Sequence, residues 1–497
     1  MGEIDQSLNG GLDAETSKSD KVETKKSVSE VARLDRQARA SARVARRRAT
    51  GILIRSLIAV LAGSLILRLA SHATGQMTQF YLGHISRNLY HISHTTRGYV
   101  IASFFITELI GALVLGAMSD RYGRKLFIML GPAFGVVAVQ LTAMTSVLWL
   151  FVLARLLQGL STGSSVPSTL GYISEATVGR PSLRARVMGM FEITLVGGIA
   201  LGAVIGGYLW KFFSSPLSVA GITLESPAFS IVGLTYLVSL AIFAWGLKDI
   251  NRGATGESPS SLSHTQALLN KLRHYYRVFR SPSVWMFIPA WLCIFSIIGI
   301  WTNSSAALFT GDHFKNQKLT GSVSPVTFEN GFAALAVFFA AGILAWSFVL
   351  ARFRRTNVML IGTLGLFGLL LTVFGLNHIA SFSSSLYYVL LGALLIEVLV
   401  MSGFTPAALT YLADVTESYA SDRGSIMGLY SVFLGVGQLA GTSIGGYFAD
   451  WNGIDGLILL SAILGGVTAL SLLTLRRQET PKAVASEPDP LSTLEKV

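Results

Sequence analysis

Charge and cysteine are the scarcest things in this chain. Only 13% of its 497 residues are charged, and Cys293, inside an apolar run, is its one cysteine. A lone thiol excludes a disulfide framework and a cysteine metal site, and leaves the redox compartment open. The shortage of charge stands beside a hydrophobic share of 51% and a mean hydropathy of +0.56. That excludes a soluble protein, whose core could not hide so much apolar surface. No glycine-lysine loop that would cradle a phosphate between strand and helix is present, so energy would come from ion or solute gradients rather than from nucleotide hydrolysis. Residues 1–50 contain no apolar stretch resembling a secretory signal, and Glu3, Asp5, Asp13, Glu15, Asp20, Glu23 and Glu30 make them too acidic for a mitochondrial transit peptide. They read as a disordered cytoplasmic tail, basic from Arg33 to Arg48.

Apolar sequence is what the chain has in abundance. Segments of about 20 residues or more, enough to cross a bilayer, lie near 52–82, 97–118, 126–144, 147–174, 186–211, 228–248, 284–310, 329–351, 357–377, 384–412, 424–448 and 455–475. The expected fold is an all-α membrane protein with twelve transmembrane helices in two direct six-helix repeats. Its expected parts are a tail over 1–50, a first bundle over 51–248, a linker over 249–283, a second bundle over 284–475 and a tail over 476–497. Lys and Arg outnumber Asp and Glu by 39 to 27, a balance that can signal nucleic acid, but most of these cations flank apolar segments. Loops on the face shared with the N-terminus hold Arg121, Arg124, Lys125, Arg180, Arg184, Arg186, Lys248, Arg352, Arg354 and Arg355, among others. The opposite face has only Arg87, Arg97, Lys211, Lys315 and Lys318. Both termini are therefore expected in the cytoplasm of a plasma (inner) membrane protein. Membrane lipids are the expected partners of the basic tail, and no nucleic acid is. Within the linker, 263–279 alternates apolar and basic residues at helical spacing, which predicts a helix lying on the membrane surface.

The chain also repeats itself. Pro167 to Tyr208 recurs without a gap 239 positions later at Pro406 to Tyr447, with Thr177, Arg184, Met188, Gly198, Gly202 and Gly206 matched by Thr416, Arg423, Met427, Gly437, Gly441 and Gly445, and Glu175 by Asp414. A match at one offset through two apolar segments and the polar loop between them reads as an internal duplication. Small residues every fourth position make a flat ridge on which a neighbouring helix can pack.

Between the second and third apolar segments stands GAMSDRYGRK, Gly116 to Lys125. Gly116 permits close helix approach, Asp120 ends the helix, and Gly123 allows a tight turn that presents Arg121, Arg124 and Lys125. RLLQG follows at Arg155 to Gly159, then Pro167, YISEA at Tyr172 to Ala176, and Arg184. Together these resemble the signatures of the major facilitator superfamily of secondary transporters, over about residues 52 to 475. The resemblance implies a central cavity lined by helices 1, 4, 7 and 10. It also implies a cytoplasmic gate drawn from Gly116, Asp120, Arg121, Gly123, Arg124, Glu175 and Arg184, with Asp414 and Arg423 in the second half. The second half lacks a full copy of the loop signature, since Ala351 to Arg355 has neither its Asp nor its Gly. Helix 5 lacks the Gly-Pro pair of drug-proton antiporters, and the sugar-porter motif after helix 6 is absent.

Ionisable groups at membrane depth are functional candidates because each is costly in hydrocarbon unless paired or wetted. Arg68, His72, Gln76 and Gln79 share one face of helix 1, a candidate substrate surface, joined by Arg155 and Gln158 on helix 4 and by Trp301 and Asn303 on helix 7. Arg155 reads equally as a structural arginine. Glu397, which the repeat matches to Gln158, and Glu108 are candidate proton carriers, with a polar clamp between helices as the other reading of Glu397. His84, His91 and His94 lack a carboxylate or cysteine beside them, so no metal site is expected, nor any cofactor or enzymatic activity. The resulting expectation is a monomeric, proton-coupled transporter of a small-molecule solute, with efflux slightly ahead of sugar or organic-anion uptake. A ligand sensor or scaffold built on the same fold is the rival from another class.

Overall fold

In a computed structural model, residues 51–219, 221–248, 282–311, 313–379, 384–416 and 423–478 are described. The chain separates into two compact units, Met1–Ile58 and Ala59–Val497. Of the first, only 51–58 are described, the opening turns of a helix; the second holds every other element. The tail at 1–50, the surface helix expected at 263–279 and the end of the chain after 478 lie outside the described residues.

The first half comprises α1 (Gly51–Asn88), α2 (His94–Tyr122), α3 (Arg124–Ala143), α4 (Leu148–Ala176), α5 (Pro181–Phe213) and α6 (Pro227–Gly246). The second comprises α7 (Pro282–Thr310), α8 (Pro325–Val349), α9 (Arg355–His378), α10 (Ser385–Met401), α11 (Phe404–Thr416) and α12 (Arg423–Gln478). Local chemistry sets several boundaries. Ser93 caps α2, its hydroxyl accepting from the Thr96 amide at 3.1 Å, and Ser324 caps α8 in the same way through Thr327. Proline opens α5, α6 and α8, where its missing N–H costs nothing. Gly123, at φ 109°, separates α2 from α3.

Ten described helices are long and apolar enough to cross a membrane. α4 is not among them, because Arg155, Gln158 and a run of Ser and Thr lower its hydropathy. The last of the ten, Val432–Arg477, is 46 residues long, about twice what one crossing needs. α12 bends at Asn452 and Gly453, whose backbone angles are non-helical, so its two arms take the places of the expected eleventh and twelfth helices. The tenth expected helix is likewise divided, into α10 and α11 at Ser402–Gly403. The fold is not purely helical: Leu217–Val219 and Ile222–Leu224 pair antiparallel as β1 and β2 between α5 and α6, with Gly221 in the turn at φ 82°.

The repeated glycines pack each half's fifth helix against its first. A methyl group at Gly198 would lie 2.6 Å from Arg68 Cβ, and one at Gly202 would lie 2.6 Å from the Leu69 carbonyl oxygen, both on α1. In the second half, Gly437 and Gly441 in the first arm of α12 meet Phe295 and Ser296 of α7 in the same manner. Apolar surface gains little by leaving lipid, so such close backbone approach supplies the packing that holds these helices together. The ridges therefore pack inside their own halves. The halves meet each other at the next glycines along: Gly446 against the His94 carbonyl of α2, and Gly207 against Pro325 and Glu329 of α8.

Candidate functional site

The face with the α2–α3 and α4–α5 loops is called the near face below, and the one with the α1–α2 and α7–α8 loops the far face. Toward the far face the two halves are fastened. Gln76 and Gln79 of α1 both donate to the Thr302 carbonyl of α7, at 3.5 and 3.0 Å, and Gln79 also donates to Gln76 Oε1 at 2.9 Å. Asn303 donates to the hydroxyls of Thr302 and Thr442 at 3.1 and 3.2 Å. A small cavity lies beside this junction, lined by Gln79, Arg97, Ile101, Asn303 and Ser304 among others. An aromatic set from α1, α5, α7 and α8 packs across the halves as well: Phe328 packs edge-on to Phe80 and against Phe309, Phe80 against Trp210, and Phe332 stacks on His72 at 5.8 Å.

A second fastening is a carboxylate. Asp450, at the end of the first arm of α12, accepts from the amides of His94 and Thr95 at 2.6 and 2.8 Å and from the Thr95 hydroxyl at 2.5 Å. It caps the N-terminus of α2 from the other half of the molecule, where a negative charge is favoured. Losing such a cap costs about 1 kcal/mol or slightly more, so Asp450→Ala should raise the population open at the far face roughly tenfold. With Cys293→Ser and Ala307→Cys introduced, an impermeant maleimide should label Ala307→Cys faster by that factor. Unchanged labelling would mean that Asp450 is not a latch.

Deeper in the first half, charged residues from four helices lie within electrostatic range of one another. Arg68 of α1 interacts electrostatically with Glu108 of α2 and Glu192 of α5, and Glu108 interacts also with Arg155 of α4. Arg68 and Glu108 are half-buried, and Glu192 is exposed. Arg155 donates to Gln158 Oε1 at 2.5 Å, and its guanidinium lies 4.9 Å from the Phe104 ring centre. The sequence of α7 contains no charged residue, so it gives the centre only polar groups.

Two residues grouped with this centre point elsewhere. Trp301 donates its indole N–H to Ser461 at 3.0 Å and belongs to the packing of α7 on the second arm of α12. Glu397 accepts from Thr372 of α9 at 2.9 Å and packs against Gly368, the clamp geometry rather than a view of Arg155.

The loop signature folds onto its own half. Arg124 donates to Glu175 and to the Ser119 hydroxyl, both at 3.0 Å, and forms an ion pair with Asp120. Arg184 donates to the Thr177 hydroxyl and the Ser174 carbonyl at 3.3 and 3.2 Å. Gly116 lies close enough to Pro167 of α4 that a methyl there would sit 3.3 Å from its Cβ. Arg121 is exposed beside Tyr122. These described pairs join α2, α3, α4 and α5 rather than the two halves. The side chains of Asp414 and Arg423 lie outside the described residues.

Asp450 and Glu329 were not singled out by sequence. Both sit at the boundary of an apolar segment, where a carboxylate normally meets water. The signal for Asp450 was its offset partner, since the repeat aligns it with Lys211, a reversal of charge at equivalent ends.

The family model described as Major Facilitator Superfamily matches residues 50–328 and 290–496. Multidrug resistance protein 1 of Bacillus subtilis (strain 168) is 25% identical over 378 residues, 73% of this chain and 83% of that protein. Glucose transporter GlcP of Staphylococcus epidermidis is 21% identical over 383 residues, 75% of this chain and 84% of the relative. Among solved structures, that of nucleoside transporter NupG superposes with a TM-score of 0.63 at 14% identity, covering 86% of this chain and 98% of that one. Helix order, fold and sequence match agree along nearly the whole length, and the chain belongs to the major facilitator superfamily of membrane transporters.

Proposed function

We propose that this transporter exports a neutral or cationic organic solute from the cytoplasm in exchange for protons, with Glu108 as the carboxyl group that carries the proton. The observation that carries this reading is the charge balance of the centre. Arg155 is engaged with Gln158 and Phe104 but keeps its charge, so two cations balance two carboxylates, and the groups left to contact a solute are Arg68, Glu108 and Glu192. Such a centre has no surplus positive charge to attract an added anion, and its carboxylates can take a cation or a proton. Arg68 thus serves to keep an ionised carboxylate tolerable at membrane depth, rather than to bind an organic anion. A solute cation and a proton then compete for the same negative charge, which is the requirement for exchange. The likeness to a multidrug resistance protein and the missing sugar-porter motif support export over uptake.

The test is transport in proteoliposomes under an imposed pH gradient, with ethidium as the cationic probe and carboxyfluorescein as the anionic one. Ethidium should move against its gradient only when protons run the other way. In Glu108→Gln that pH-driven accumulation should fall at least tenfold while downhill ethidium exchange continues. Equal accumulation by Glu108→Gln and wild type, or movement of carboxyfluorescein in place of ethidium, would overturn the reading.

A further inference from the structure

The two places where the halves touch near the far face are related by the internal repeat, and they treat their carboxylates oppositely. At one, Gly446 of α12 meets the first turn of α2, and Asp450 beside it is satisfied by two amides and a hydroxyl. At the other, Gly207 of α5 meets the first turns of α8, where Glu329 is 0% exposed. Neither Glu329 oxygen has a hydrogen-bond partner among the described residues. Its side chain is pressed against the partner half: a methyl group on Gly207 would lie 3.1 Å from both Glu329 Cβ and Cγ.

Among the described residues, no neighbouring group compensates the Glu329 carboxylate. α8 has no other charged residue, and α7 has none at all. On α5, Lys211 lies exposed over Phe212 and Tyr208 is exposed and stacked on the same ring, while Glu192, Arg184 and Arg186 belong to the other end. On α1, His72 is near Gln76 and faces Phe332. On α10, Glu397 is held by Thr372. None of them makes a hydrogen bond with Glu329. An ionised carboxylate left without hydrogen bonds or counter-charge is far too costly to bury, so a group in this setting is held as the neutral acid.

We propose that Glu329 is a proton-binding site that governs the far face: the α5–α8 contact closes when Glu329 carries a proton and opens when the proton leaves. On opening, Gly207 draws away and water reaches the carboxyl group. The O–H bond breaks, its electron pair stays on the carboxylate oxygen, and the proton passes to a water molecule on the far side. The ionised form then resists closure until it is reprotonated from that side. This deepens the exchange reading, because it makes the direction of the proton gradient bias which access state is filled. It rests on alternating access and is separate from the proton exchanged at Glu108.

The measurement is a far-face distance between spin labels at Leu89→Cys and Ile379→Cys, both exposed ends of far-face helices, in a Cys293→Ser background in detergent and without solute. Between pH 5 and pH 9 the wild-type background should pass from mostly short to mostly long distances. Glu329→Gln, a neutral isostere, should stay short throughout, and Glu329→Asp should keep a pH response. A Glu329→Gln distance that lengthens with pH as wild type does would overturn the proposal, as would a wild-type distance indifferent to pH. Failure of every solute probe to cross the bilayer would sink the exchange reading and leave these distances to be judged alone.

Discussion

Arg68→Ala should reduce pH-driven ethidium accumulation about a hundredfold, the largest functional loss expected from any single side chain here. Arg68 is the one cation shared by Glu108 and Glu192, and it lies at a depth where each carboxylate needs compensation. A unit charge beyond ion-pair distance, roughly 6–8 Å away, at an effective dielectric of about 20 is worth roughly 2–3 kcal/mol. Loss of about 2.7 kcal/mol from the ionised state slows any step through that state about a hundredfold. The carboxylates would then lose the counter-charge they share, and exchange would slow. Arg68→Lys should recover part of the rate, because it restores the charge without the guanidinium geometry. The check is the initial rate of accumulation at fixed pH gradient, with the protein's elution as a single folded species measured alongside. A rate within threefold of wild type would show that Arg68 is packing rather than electrostatics.

Gly441→Val should have the largest effect on the folded state. A Cβ at Gly441 would fall 2.0 Å from the Ser296 carbonyl oxygen and 2.6 Å from its carbon. Those are backbone atoms of α7 and cannot rotate away, so α7 and α12 would have to separate along their length. Overpacking of this kind costs about 1–3 kcal/mol where side chains can adjust, and here they cannot. The expected result is little or no monodisperse protein after detergent extraction. Gly189→Val makes the control, since a methyl at Gly189 meets nothing within 4 Å, and it should extract as wild type does. Equal recovery of Gly441→Val would mean that the glycine ridge is not where these helices are held.

What could be read in the sequence divides along physical lines. The glycine ridges were legible because a four-residue spacing survives translation into a helix face, and the fixed offset made each ridge confirm the other. The near-face signature was legible as a motif, but its partners were not: the pairing of Arg124 with Asp120 and Glu175 inside one half depends on how α2 and α4 pack, which no spacing reveals. Trp301 and Glu397 show a different limit. α7 and α10 are apolar nearly all round, so nothing in them marks which side faces the centre, and alignment with Gln158 could not supply the missing phase for Glu397. Glu329 escaped notice for a third reason. A carboxylate at the edge of an apolar segment normally marks the membrane surface, and only the approach of Gly207 from the other half buries it.

Gly207 and Gly446 let the halves approach with no side chain of their own in the way, and the side chains on the other faces of those helices are free to change. A duplicated ancestor joined in this way could keep its fit while each copy drifted. The present chain bears the mark of that freedom: one copy has kept or acquired four interacting charges, while α7 of the other offers only hydroxyls and an amide. The contact is common to both copies, and the two halves divide the labour.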